Sequence, residues 1–502
     1  MKPAVLVFVA LSAFAQDRTE ALARILAEKG TITAAELASL EGAAPGDRIV
    51  VLADILQAKG IISSNDVARL GPQTPGRNIG ESQLAATAAG AAVQQASVQR
   101  PTTGSTTGQA PSTQSAVPPV TAQSHLPVTV YGTLLLNSVY DTAFMNITDI
   151  PLFTAKQGSD ALGDDKTFAM TARQTRLGLR YESQNEVAGA RLSGQFEVDF
   201  LGGKAPFTNG ANMDLLRLRL AFGRLDWNNV SLEGGQDWSI FAPLNPTSLA
   251  EYAIPSLSAS GNPWIRLPQI RGEAHGNVGG GLNVLAQFAA IDPNMGDYSS
   301  TTFSATRAPG VGERGRAPGA EVRLALSGKH NDRDFTIGVS GHFAHGKNSG
   351  TVGAATVQVP VDSWGAAVDY MLPFTKWFNL SGELYTGREL GIFSVASGEA
   401  IEPVGTFGDR GVRSRGGWTQ AQFNLTQKWQ ANLAYGIDDP NVRDIAVGSR
   451  TRNQSYMGNI MYKYTPHFTM AWEYRRMLTD FRNQTFANER GDTANLAFAY
   501  IF

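Results

Sequence analysis

The sequence predicts an all-β fold: a 16-stranded antiparallel transmembrane β-barrel with an inward-folded third long loop, preceded by a small α-helical periplasmic module. Three observations predict it. From residue 128 onward, apolar and polar residues alternate with period 2 in segment after segment, for example RLRLAFGRL, ARLSGQFEVDF and DFTIGVSGHF. The connections between these segments alternate between short and long. The chain then finishes on TANLAFAYIF, where Leu496, Phe498, Tyr500 and Phe502 alternate with Asn495, Ala497, Ala499 and Ile501. A strand edge of that kind is adhesive in water, so its apolar face belongs against lipid or another subunit.

The N-terminus, MKPAVLVFVALSAFAQ, has one basic residue, an apolar run and an Ala13-Phe14-Ala15 cleavage pattern. Residues 1–15 therefore read as a signal peptide, with Gln16 as the mature N-terminus. Residues 16–70 hold an internal repeat in which LARILAEKGTITAAELASL (22–40) aligns with LADILQAKGIISSNDVARL (52–70). Each copy reads as a helical hairpin. Lys29-Gly30 and Lys59-Gly60 suit helix ends, and Thr33 with Glu36 and Ser63 with Asp66 have capping-box spacing. The module reads as a structural spacer or as an oligomerisation or cell-wall contact through residues 17–70. Residues 71–125, rich in Ala, Gly, Pro, Ser, Thr and Gln, read as a disordered linker. The barrel takes residues 126–502.

Composition narrows the function classes. There are 42 Lys+Arg against 44 Asp+Glu, a net charge of −2, which gives no reason to expect nucleic acid as a partner. The chain has no Cys, which removes disulfides, zinc–thiolate sites, thiol catalysis and a lipidated N-terminal Cys. The six His show no ligand spacing, and neither G-x-S-x-G nor H-E-x-x-H occurs, so no enzyme, metal or cofactor is expected.

Sixteen strand candidates run from 128–140 to 492–502. Seven short turns, such as NN, TQK and TP, alternate with eight long loops, among them 239–263 and 346–360. Outer-membrane barrels have short periplasmic turns and long outer loops. Parity assigns faces. In 189–201, Leu192, Phe196, Val198 and Phe200 oppose Arg191, Gln195, Glu197 and Asp199. In 467–478, Phe468, Met470, Trp472 and Tyr474 oppose Thr469, Glu473 and Arg475. In 212–226, Leu216, Leu218, Leu220 and Phe222 are expected to oppose Arg217, Arg219 and Ala221. So many charges on one face suit a water-lined lumen. The apolar face then meets outer-membrane lipid, with Trp364, Tyr370, Trp429 and Tyr464 as interfacial aromatics.

Several stretches carry a family resemblance. VTVYGTLLLNSVYD (128–141), ARQTRLGLRYE (172–182), QFEVDFLGG (195–203), LLRLRLAFGRL (215–225) and GGQDWSIFAPLNP (234–246) together resemble the trimeric Gram-negative outer-membrane porins of the DcaP-like group. The resemblance covers the first half of the barrel. It implies a homotrimer with a periplasmic N-terminal extension that takes up small solutes, often anionic. Where that group usually carries a His near the end of the strand after VDF, this chain has Leu220. The terminal Phe498, Tyr500 and Phe502 resemble the assembly signal read by the barrel-assembly machinery.

Selectivity in a pore comes from its width and from the charges at its narrowest point. Parity points Arg176, Arg180, Arg217, Arg219 and Arg323 into the lumen. Arg173 breaks the parity, and Arg266 and Arg271 flank the end of the third long loop. Guanidinium binds carboxylate or phosphate bidentately, so these residues are expected to line an anion-attracting constriction. The alternative reading pairs them with Glu197, Asp199, Glu233 and Glu321 to stiffen the wall. The third long loop, SIFAPLNPTSLAEYAIPSLSASGNPWIRLPQ, is apolar and aromatic for an exposed segment, which predicts that it folds into the barrel. Asp237 and Glu251 would then oppose the arginines. The function that follows is passive diffusion of small hydrophilic solutes, favouring anions such as dicarboxylates. The alternatives are a phosphate-selective porin and a structural barrel tethering the outer membrane to the cell wall.

Overall fold

A computed structural model describes residues 127–156, 166–203, 213–295, 308–330, 332–352, 355–396, 411–482 and 488–502, together with 23–24, 26–27, 29–42, 51–52, 55–56 and 59. The signal peptide, the linker, Gly60 and the Ser63/Asp66 spacing lie outside the described residues. The chain divides into two units, Met1–Arg77 and Asn78–Phe502.

In the first unit, helix α1 (Ala34–Gly42) opens on the expected capping box. Thr33 N donates to Glu36 Oε2 at 2.6 Å, and Glu36 N donates back to Thr33 Oγ1 at 3.3 Å. The preceding helical turn ends at Gly30, at φ +69°, where Gly30 N donates to Ala27 O and Thr31 N to Leu26 O. This is the double bond pattern of a glycine-terminated helix. Ala23, Ile32, Leu40 and Leu52 form the core between the two repeats.

The second unit is one closed antiparallel sheet. Its strands are β1 (Val128–Asp141), β2 (Thr167–Thr171), β3 (Arg176–Val187), β4 (Ala190–Asp199), β5 (Arg217–Asp226), β6 (Val230–Trp238), β7 (Arg266–Gly279), β8 (Leu282–Ile291), β9 (Gly319–His330), β10 (Arg333–Val352), β11 (Ala355–Pro373), β12 (Phe378–Arg388), β13 (Arg413–Asn424), β14 (Trp429–Pro440), β15 (Arg450–Lys463), β16 (Phe468–Phe481) and β17 (Asn488–Ile501). β2 and β3 pair with successive stretches of β1 and share one place in the wall, which makes a sixteen-strand barrel. β1 pairs with β17 and closes it. At the seam, Gly132 N donates to Phe502 O at 3.0 Å, and Phe502 N donates to Gly132 O at 3.1 Å. A Cβ on Gly132 would stand 2.8 Å from the Phe502 ring and 2.6 Å from Arg176 O, so only glycine admits the terminal aromatic there.

Alternation sets the faces as expected in β4 and β16. Trp472 and Tyr474 are exposed outward, whereas Glu473, Arg475, Glu197 and Asp199 are buried inside. Three expectations are corrected. In β5 a bulge places Glu197 opposite Leu220 but Val198 opposite Leu218, leaving Arg219 as the extra residue. Leu220 therefore turns inward, into a buried cluster with Trp238 and Trp264, and Phe222 packs against that cluster from inside. The strand expected over 167–182 is interrupted, because Thr175 N closes a turn on Ala172 O at 3.0 Å. The long loop expected at 346–360 is instead the top of a tall hairpin, with β10 and β11 paired from Thr336–Met371 to Val352–Ala355.

Candidate functional site

The segment 239–265 between β6 and β7 lies inside the barrel. Every residue from 239 to 265 is buried except Pro243, Leu244 and Thr247, which are half-buried. The segment has neither strand nor helix. A buried backbone without regular structure must hand its N–H and C=O groups to other partners. Wall side chains take them. Glu321 accepts from Ser239 Oγ at 2.8 Å, Ile240 N at 3.0 Å and Phe241 N at 3.4 Å. Glu383 accepts from Leu244 N, and Gln420 accepts from Thr247 N at 2.7 Å. Gln174, turned inward by the break between β2 and β3, accepts from Tyr252 N at 2.7 Å and Ala253 N at 2.9 Å. Asn453 donates to Ala259 O at 3.0 Å. The loop thus runs round the inner circumference from β9 through β12, β13 and β16 to β3, then returns past β15.

Where it passes β3–β5, the loop meets the arginines. Arg219 is fully buried and donates to Glu197 at 2.6 Å and to Asp199 at 3.0 Å. Arg217 pairs with Asp199. Arg176 lies 3.5 Å from Glu197, donates to Tyr252 O at 3.0 Å and stacks 4.3 Å from the Tyr252 ring. Arg217 and Arg219 both reach Ala253 O, at 3.3 and 3.4 Å. Arg266 stacks 4.9 Å from the Trp238 ring within electrostatic reach of Arg217 and Arg219, and its Nη1 is buried without a hydrogen bond. Among the described residues, four guanidinium groups gather here around two carboxylates.

The other expected site residues lie elsewhere. Arg173 sits at the β2–β3 break and pairs with Asp149 of the first long loop. Arg180 is exposed and stacks 4.4 Å from the Tyr131 ring. Arg271 joins Glu233 at 2.7 Å, Asp237 at 2.8 Å and Glu273 at 3.0 Å, and Arg323 joins Asp369 at 2.7 Å. Asp237 is therefore held by a neighbouring strand. Glu251 turns to Arg475, which also binds Glu473 and Ser256 at 2.8 Å each. A cavity of about 10 Å³ remains beside this pair, lined by Pro151, Ala250 and Asn495 among others. At the chain terminus, Phe498 stacks on Phe468 and Tyr500 on Phe502.

Sequence reasoning did not single out Gln174, Glu383 or Arg475 as site residues. Their one signal is a polar side chain at inward parity near mid-strand, which a water-lined wall carries at many positions.

No protein-family model matches the chain, and no curated protein matches it in sequence. Among solved structures, the chain is similar to the outer membrane channel DcaP of Acinetobacter baumannii, with a TM-score of 0.54 and 17% identity over 75% of this chain and 97% of that one. It also matches an anion-selective porin from Comamonas acidovorans (14% identity, 75% and 99% covered, TM-score 0.44) and OprB of Pseudomonas putida (9%, 74% and 94%, 0.47). By fold, this closed sixteen-strand barrel is similar to the DcaP outer membrane channel.

Proposed function

We propose that the protein is an outer-membrane porin through which small hydrophilic solutes diffuse passively, with anions such as dicarboxylates favoured. The supporting observation is the surplus of guanidinium over carboxylate where the inner loop passes β3–β5: Arg176, Arg217, Arg219 and Arg266 stand there against Glu197 and Asp199 among the described residues. A solute carboxylate passing this level meets net positive charge in a low-dielectric wall, where attraction is strongest. The apolar outer face, with Trp472, Leu384 and Ile270 exposed, suits a bilayer. On this reading the barrel is placed by the barrel-assembly machinery, forms a homotrimer and holds residues 16–70 in the periplasm.

The depth at which 239–265 is packed favours a second reading, a structural barrel that tethers the envelope through its N-terminal module. The deciding experiment is a planar-bilayer recording under a KCl gradient, with Arg217→Gln and Arg266→Gln alongside the unaltered protein. Chloride preference that falls in both variants supports the anion-favouring porin. Cation preference retains the porin and removes the anion assignment. Stable insertion without conductance supports the tether.

A further inference from the structure

On the outer face, β11–β14 carry a groove of about 460 Å³, within the usual range for a ligand pocket. Its floor is glycine. Gly416 and Gly417 line it, and a Cβ on Gly417 would strike Glu383 O and stand 2.7 Å from Leu384. Tyr370 and Leu384 form one side, tied across by Tyr370 Oη donating to Thr419 Oγ1 at 3.0 Å. Tyr435 and Ile437 form the other.

The end of the groove nearest the long loops is basic. Arg415 is 78% exposed and lies 3.3 Å from Asp439. One step beyond, Arg388 and Arg413 occupy directly opposed positions on β12 and β13. Like charges in that register repel. Asp444 binds Arg413 with both oxygens, at 2.6 and 2.9 Å, and Arg388 Nε is buried without a hydrogen bond. Three guanidinium groups therefore share two carboxylates at the mouth of an apolar slot that faces away from the lumen.

We propose that this groove binds an anionic lipid, its phosphate on Arg415 and the Arg388/Arg413 pair and one acyl chain lying over Gly417 between Leu384 and Ile437. The charge at the mouth selects this occupant. A neutral lipid leaves the arginine surplus unmatched, and a second copy of the chain brings the same basic rim to the contact. The inference rests on the reading that this face lies in the membrane.

The test is native mass spectrometry of the full-length protein purified in detergent and supplied with equal phosphatidylglycerol and phosphatidylcholine. The unaltered protein is expected to retain phosphatidylglycerol about tenfold over phosphatidylcholine, the scale of one charge-assisted hydrogen bond. Arg415→Gln should erase that preference while the barrel keeps its heat-modifiable gel shift. Leu384→Trp, at an exposed position, should fill the slot and reduce retention of both lipids. Equal retention of the two lipids by the unaltered protein, or an unchanged preference in Arg415→Gln, overturns the headgroup assignment. Unchanged retention in Leu384→Trp overturns the slot, and oligomers that Leu384→Trp dissociates, seen in place of lipid adducts, assign the face to a second copy. Conductance of the same samples separates the two proposals: channels without lipid preference refute the groove alone, and lipid preference without channels refutes the porin alone.

Discussion

Arg475 on β16 and Glu251 in the inner loop form an ion pair in which each side chain is 2% exposed. The same guanidinium holds Glu473 on its own strand and Ser256 further along the loop. One wall residue thus fastens two points of the segment folded inside the barrel. Glu251→Gln is expected to loosen the loop and raise single-channel conductance or its noise. Unchanged current traces would mean that Gln174, Glu321 and Glu383 hold the loop unaided.

Arg219 carries a different load. It compensates both Glu197 and Asp199 from a fully buried position. Arg219→Ala is expected to cost about 3–5 kcal/mol, because two carboxylates lose a shared partner. Thermal unfolding in detergent measures this. Adding Glu197→Gln and Asp199→Asn should recover part of the loss, whereas simple loss of side-chain packing would not be recovered.

Gly132 and Phe502 set the seam. Gly132→Val puts a branched side chain where the terminal ring lies, so the folded fraction should fall sharply. Truncating Phe502 to Ala in that variant should restore folding in vitro only in part, because the clash with Arg176 O remains. Refolding yield by gel shift reports both.

In the N-terminal unit, the backbone bond from Thr33 N, with help from Lys59, holds the Glu36 carboxylate below the ordinary glutamate value of about 4.5. A depressed folded-state pKa gives stability that is present above the unfolded value and is lost as pH falls through the folded one. Helicity of Ala34–Gly42, followed by NMR, should therefore decline below about pH 4.5. Glu36→Gln should remove that pH dependence.

The barrel was legible because its signals are periodic. Alternation placed Trp472 outside and Glu473 inside from sequence alone. Single-residue departures were not legible. The bulge at Arg219 reverses the parity of Leu220 and Phe222, yet RLRLAF alternates perfectly on paper. The break at 172–175 rests on Thr175 Oγ1 accepting from Leu135 N at 3.1 Å, a contact set by the neighbouring strand. The stretch 346–360, expected as a loop, contains Pro360 and is strand. Above Trp364, β11 pairs with β10 alone among the described residues, and a free edge tolerates proline. At the site, the arginines announced themselves. The groups that receive the loop backbone did not, because Gln174 and Glu383 look like any lumenal polar residue.

The pairing of Gly132 with Phe502 also imposes an order of events. The first strand to be synthesised finds one of its neighbours only after the last has been made, across the largest sequence separation in the sheet. Loop-closure entropy makes so distant a contact slow to form. Until then, β1 and β17 each present an unpaired edge, and both are apolar on one side. The vulnerable species in the life of this protein is thus the nearly finished sheet that has not yet met itself, and it must be guarded for as long as that search lasts.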